Sequence, residues 1–286
     1  MSTLLPPQPL FHYCLFAELG DILSSQSLLL SPPDPSQPDT ALDEIRNIIT
    51  AMYLGLSPDS FTTTQFDQFP LYSYSLMPQK DIASLWLKFK PLEVYSFSID
   101  AAQLAAAIDS SELTLLPCLY DDAAKKDFVI NTIIGVSPEE YTSSVQQPEP
   151  DSPLDPRHPM FPKKLKLINR NILNYEGLLK DISLQDEQEW RIIASYTWLE
   201  ILGGVDDINP NPLPLQLISV TQNGNQLNCL EAPLVTGLFT TVSISEIVIG
   251  PCPDMAQSKL DCENLLATRL SNSHPIITES AVPYKG

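Results

Sequence analysis

Glycine and histidine are scarce in this chain, 10 and 3 among 286 residues. A phosphate cradle needs glycines at set intervals, and neither Gly-x-x-x-x-Gly-Lys nor Gly-x-Gly-x-x-Gly occurs, so nucleotide binding of those kinds is excluded at the level of motif. No Gly-x-Ser-x-Gly elbow occurs either: GLSPD and GVSPE carry an acid where the second glycine belongs, which disfavours a serine hydrolase. His12 falls inside a predicted strand, while His158 and His274 precede prolines in extended segments, poor platforms for a general base. No residue is assigned a catalytic, cofactor-binding or metal-binding role.

Charge is also sparse. Charged residues make up 18% of the chain, against about 25% in an average soluble protein. The 16 basic residues face 35 acidic ones, a net charge of −19, so a phosphate backbone is repelled and nucleic acid is not an expected partner. Residues 1–144 hold 6 basic and 18 acidic residues; residues 145–286 hold 10 and 17. The one basic run, Lys163, Lys164, Lys166 and Arg170, reads as the solvated face of a helix.

Metal-ligand spacing is missing too. Five cysteines, Cys14, Cys118, Cys229, Cys252 and Cys262, are odd in number and widely spaced, which predicts reduced buried thiols in a cytosolic setting rather than a disulfide framework or a zinc site. Asp207, Asn209 and Asn211, with Asp206 beside them, match the opening of a calcium loop, but Pro210 and Pro212 intrude and Ile218 stands at the twelfth place, so a proline-stiffened turn is expected. The carboxylate pairs Asp121-Asp122 and Glu139-Glu140 are adjacent in sequence and do not thereby converge on one site; the second complements a helix N-terminus. The first residues lack a basic n-region and no apolar run approaches the ~18 residues of a membrane span, so the expected location is the cytoplasm, or a particle assembled there.

What the chain has is proline, 27 residues, roughly twice the usual share. Residues 31–39 form a proline loop, and the stretch 145–162 carries prolines at 148, 150, 153, 156, 159 and 162, the composition of an extended linker or strap. In the first half, strands are predicted at Leu10–Leu19, Leu71–Met77, Leu92–Ile99 and Leu113–Tyr120, with helices from Asp39 or Thr40 to Gly55, at Asp81–Phe89, and at Ala101–Ile108 capped by Asp100. GLSPDSFT and GVSPEEYT, eighty residues apart, share a glycine stop, a serine cap and a proline at the first helical position, which reads as repeated capping grammar rather than duplication.

In the second half, residues 163–182 read as a helix interrupted near Asn174–Gly177. Ser183–Gly204 reads as the core helix of the region: Ser183 and Asp186 resemble a capping box, Trp190, Ile193, Ala194, Thr197, Trp198 and Ile201 share a face, and Gly203-Gly204 supplies the stop. Asn223-Gly224 marks a β-hairpin over residues 215–232. A β stretch over 238–249 and a helix capped by Asp254, with Leu260, Leu265 and Leu266 inward, precede a loose tail from Asn272.

These elements predict an α+β fold in two domains with proline-rich extended straps: 1–144, an acidic α+β domain; 145–162, a linker or strap; 163–286, a second α+β domain built on the helix 183–203 and the hairpin 215–232. Low surface charge, proline straps and absent catalytic motifs lead to the expectation of a non-enzymatic structural or assembly subunit of a larger multi-protein particle, such as a virus or phage head or tail complex. Its partners are other protein subunits, in a homo- or hetero-oligomer. The alternatives are a cytosolic acidic adaptor or assembly chaperone for a basic client, and an enzyme with a motif-free pocket.

Overall fold

The computed structural model describes residues 6–25, 27–32, 72–89, 92–108, 113–135, 159–160, 163, 167–168, 171–172, 175–194, 216–222, 225–233, 244–269 and 275–284. Its elements in chain order are β1 (Leu10–Leu15), α1 (Phe16–Ser25), β2 (Ser27–Leu30), β3 (Ser73–Leu76), α2 (Ala83–Lys88), β4 (Val94–Ile99), α3 (Ala101–Ile108), β5 (Leu113–Pro117), α4 (Asp122–Phe128), β6 (Trp190–Ala194), β7 (Gln216–Gln222), β8 (Asn225–Pro233), β9 (Glu246–Ile249), α5 (Met255–Arg269) and β10 (Ile276–Glu279). The α+β class follows directly. The strands form three sheets, β1-β4-β9-β10, β2-β8-β7 and β3-β6-β5, antiparallel except for the β9–β10 pair.

Each sheet mixes strands from before residue 145 with strands from after residue 163. The stretch expected as a linker lies outside the described residues apart from Pro159 and Met160, and the segments flanking it complete one another's sheets.

In the four-stranded sheet, β4 is buried along its whole length because it lies between β1 and β9 with apolar layers on both faces. Tyr95, Phe97 and Ile99 join the main core with Leu10, Cys14, Ile247 and Ile249, where Leu19 and Ile22 of α1, Leu104 of α3, and Cys262 and Leu266 of α5 cover them. On the opposite face Phe11, Tyr13, Val94 and Val248 meet Ile82, Leu85 and Trp86 at the α2 end. Two serines inside this apolar strand need partners. The Ser98 hydroxyl accepts from the backbone N–H groups of Ser245 and Glu246 at 3.1 and 2.8 Å and so pins the start of β9.

Local chemistry explains most element ends. Asp100 caps α3 by accepting from Ala102 and Gln103 N–H, and Asp121 caps α4 by accepting from Ala124 N–H at 2.9 Å. α4 runs into a wider π-type turn, Val129–Ile134, that stops at Gly135 with φ 70°. Asn171 donates to the carbonyls of Thr132 and Ile133 there and ties the segment after the proline-rich stretch to this helix end.

The helix expected over 183–203 is not formed. Asp181, rather than Ser183, caps a short 3₁₀ turn, Ile182–Glu187, and Gln188 in the left-handed region (φ 46°) ends it. Residues 190–194 are then a strand paired on both sides, with β3 and β5. Trp190, Ile192 and Ala194 enter the main core while Ile193 enters a second cluster with Cys118, Tyr120 and Leu178. A segment buried on both faces has apolar residues at helical and strand spacing alike, and the pairing available from β3 and β5 decides between them. Residues 195–203 lie outside the described residues.

Other expectations shift less. Strand β1 stops at Leu15, and Phe16 onward is helical. The hairpin of β7 and β8 is present, with Gln222 facing Asn225 at its closed end. Leu266 is buried and Leu265 packs against the main core, as expected, but Leu260 is 49% exposed; Ser258 and Cys262 turn inward with Leu266, spaced by four. The tail expected to be loose contains β10, which adds a parallel edge to β9.

Candidate functional site: the polar seam along β3

β3 belongs to the sheet β3-β6-β5, and isolated bridges at Ser73 and at Met77, just past its end, link it to the other two sheets. Its alternate residues, 73, 75 and 77, turn their main-chain groups toward the edge away from β6. Ser73 pairs there with Ser31, just after β2, and Met77 pairs with Phe11 of β1. Between these points β1 and β2 diverge, and the Ser75 carbonyl accepts instead from His12 Nδ1 at 2.9 Å. The Ser75 hydroxyl turns the other way and donates to Glu189 Oε1. One serine thus joins two polar centres.

The first centre is Glu189, whose side chain is 2% exposed. Arg191 Nε reaches Oε1 at 2.6 Å and Lys180 Nζ reaches Oε2 at 3.1 Å. Its backbone is equally committed: the N–H donates to Tyr120 Oη at 2.8 Å, and the carbonyl accepts from Cys118 N–H. Burial pushes the carboxyl pKa up, but the charges of Arg191 and Lys180 and the hydrogen bonds from Ser75 and Arg191 outweigh it and hold the value down at about 2. Arg191 also donates to Gly177 O at 2.8 Å, which fastens the 3₁₀ turn at 176–178 to the sheet. A cluster so fully cross-paired has no acid or base free for proton transfer; it locks the 176–189 segment onto β6.

The second centre is His12. Its ring stacks on Tyr74 at 4.0 Å and 16° and meets the edge of Phe97 at 5.5 Å. Nε2 stands 3.5 Å from Glu18 Oε1 of α1. Burial, with Cys14 and Glu18 adding to it, raises the Tyr74 hydroxyl well above its usual range. Among the described residues neither His12 Nε2 nor the Tyr74 hydroxyl has a hydrogen-bond partner. Cys14 is fully buried, and burial, with Glu18 and Cys262 adding to it, raises its thiol well above the usual range, so it stays protonated and is not a nucleophile.

All five cysteines are free and buried, as their spacing predicts. Among the described residues no group of three or more His, Cys, Asp or Glu is placed to hold a metal ion, and no helix is long and apolar enough to cross a membrane. Asp121 and Asp122 serve a helix start. His158, His274, Glu139, Glu140 and the 206–211 turn lie outside the described residues. Sequence reasoning places His12 on its strand but misses Glu189, Arg191 and Tyr74. The DEQEWR run reads as a helix start; the signal within it is an acid and a base two apart, the spacing that puts both on one face of a strand. No known protein family, curated protein or solved structure matches the chain.

Proposed function

We propose that the chain is a non-enzymatic structural or assembly subunit of a larger multi-protein particle, of the kind found in virus or phage heads and tails, that engages neighbours along its sheet edges and through its proline-rich segments. The supporting observation is where large aliphatic side chains are left in water. Ile276, 67% exposed, lies on β10, the outer strand of the four-stranded sheet, and Leu217, 54% exposed, lies on β7, the outer strand of the hairpin sheet. An edge strand with an exposed aliphatic side chain is ready to pair with another chain, and isolated proteins usually blunt such edges with charge. The Glu189 cluster, closed on itself, fits a structural role better than acid–base work. The test is Ile276→Lys and Leu217→Lys in the chain as expressed in its own host. Loss of co-sedimentation with the particle, with folding retained, supports the reading; a chain that runs alone in both forms removes it.

The net charge of −19 supports the second reading, an acidic adaptor for a basic client. Steep loss of association with added salt separates the two, since pairing along apolar edges is salt-indifferent.

A further inference from the structure

Cys252 and Met255 carry an inference independent of assembly. They stand as Cys-x-x-Met at the start of α5, where Asp254 caps the helix by accepting from Gln257 N–H at 3.0 Å. Pro251 and Pro253 fix φ before and after the cysteine, so the chain enters the helix along a stiff path. The result is a sulfur pair: Cys252 Sγ faces Met255 Sδ at 4.0 Å. Sγ also lies 3.3 Å from the Ser258 hydroxyl, which donates to the Asp254 carbonyl at 3.1 Å. Cys252 is 7% exposed and Met255 is half-buried against the main core, so the pair sits at the rim of that core and not at its centre.

We propose that this sulfur pair binds a soft monovalent metal ion, Cu(I). A thiolate and a thioether together select Cu(I), which accepts two or three ligands where zinc takes four. An ion about 2.3 Å from each sulfur, the usual metal–thiolate distance, spans the observed 4.0 Å at an angle of about 120°, that of a trigonal site. No separate cavity is required, because the ion takes the place of the thiol proton. Cys252 S–H releases that proton to solvent, an S–Cu bond forms, Met255 Sδ adds a lone pair, and copper keeps its oxidation state. The new thiolate faces the positive end of the 15-residue α5 and lies within reach of the Ser258 hydroxyl, both of which suit its charge. Burial raises the thiols of Cys14, Cys118, Cys229 and Cys262 and keeps them protonated, which disfavours them as competing ligands.

The probe is Cu(I) itself, delivered without oxygen from its bicinchoninate complex to the full-length chain, with X-ray absorption at the copper edge as the second readout. The chain is expected to take one equivalent from the complex and to surround it with two sulfur neighbours. In protein labelled with selenomethionine, one of those two neighbours becomes selenium. Cys252→Ser is expected to abolish this uptake. Met255→Leu, close to volume-conserving, is expected to weaken it about tenfold or more and to remove the selenium neighbour. The proposal is overturned by no uptake in competition with bicinchoninate, by uptake equal to that of Cys252→Ser, or by bound copper with no selenium neighbour in the labelled protein. The selenium readout is made with Cys252 and Met255 in place, so it decides for or against the site even where neither substituted chain folds.

Discussion

His12 and Ser75 are joined side chain to main chain, Nδ1 to carbonyl oxygen at 2.9 Å, at the place where the edge of β3 away from β6 lies between its bridges to Ser31 and Phe11. An imidazole there does the work of a backbone N–H, and it connects the four-stranded sheet to β3 without a continuous ladder. The Ser75 hydroxyl carries the connection on to Glu189 and so to β6.

Glu189 makes the protein acid-sensitive in a defined window. Its folded pKa of about 2 lies below the ordinary value of 4.5, so its contribution is complete above about 4.5 and is lost as pH falls through about 2. That shift corresponds to about 3 kcal/mol for this nearly fully buried group. Glu189→Gln is expected to flatten the fall in urea midpoint across this window and to lower stability at neutral pH by about 3–5 kcal/mol, because Arg191 is left without its counter-charge. Urea unfolding from pH 2 to pH 7 reads both effects.

Gly250 and Gly20 are expected to respond to alanine in opposite directions. A Cβ at Gly250 would stand 2.7 Å from the Val94 carbonyl oxygen and 2.7 Å from the Trp86 ring, so Gly250→Ala should cost about 1–3 kcal/mol. At Gly20, inside α1, the nearest atom is a Leu265 methyl at 3.6 Å, and Gly20→Ala should gain about 0.5–1 kcal/mol from helix propensity. Thermal melts of the two variants side by side give the comparison.

Asp81 holds the last described segment in place: its carboxylate accepts from the Trp86 indole N–H at 2.6 Å, from the Ala281 N–H at 2.7 Å and from the Ser280 hydroxyl. Asp81→Ala is expected to lose about 1.5–3 kcal/mol and, more specifically, the hydrogen-exchange protection of the Ala281 amide. Unchanged protection at Ala281 would show that β10 and the residues after it are held by other contacts.

The legible parts of the fold are those set by local grammar. Asp100, Asp254 and Gly135 act where their chemistry places them, alternation locates β3, β-rich composition locates β4, and the Asn223-Gly224 dipeptide locates the β7–β8 hairpin. The illegible parts depend on distant partners. Trp190–Ala194 satisfies a helical stripe and a doubly buried strand equally well, and pairing to β3 and β5, both far earlier in the chain, selects the strand. Glu189 and Arg191 give no site signal in sequence because their role rests on Ser75 and Lys180 arriving from other segments. β10, a four-residue parallel edge, has too little pattern to stand out from a tail.

The native mass of the chain purified with its surroundings intact tests the proposed role most directly. A subunit of a multi-protein particle is expected to elute far above its own 31.7 kDa, at a mass that Ile276→Lys or Leu217→Lys reduces. A sharp monomer peak at 31.7 kDa, unaltered by either substitution and with no retained partner, would contradict it.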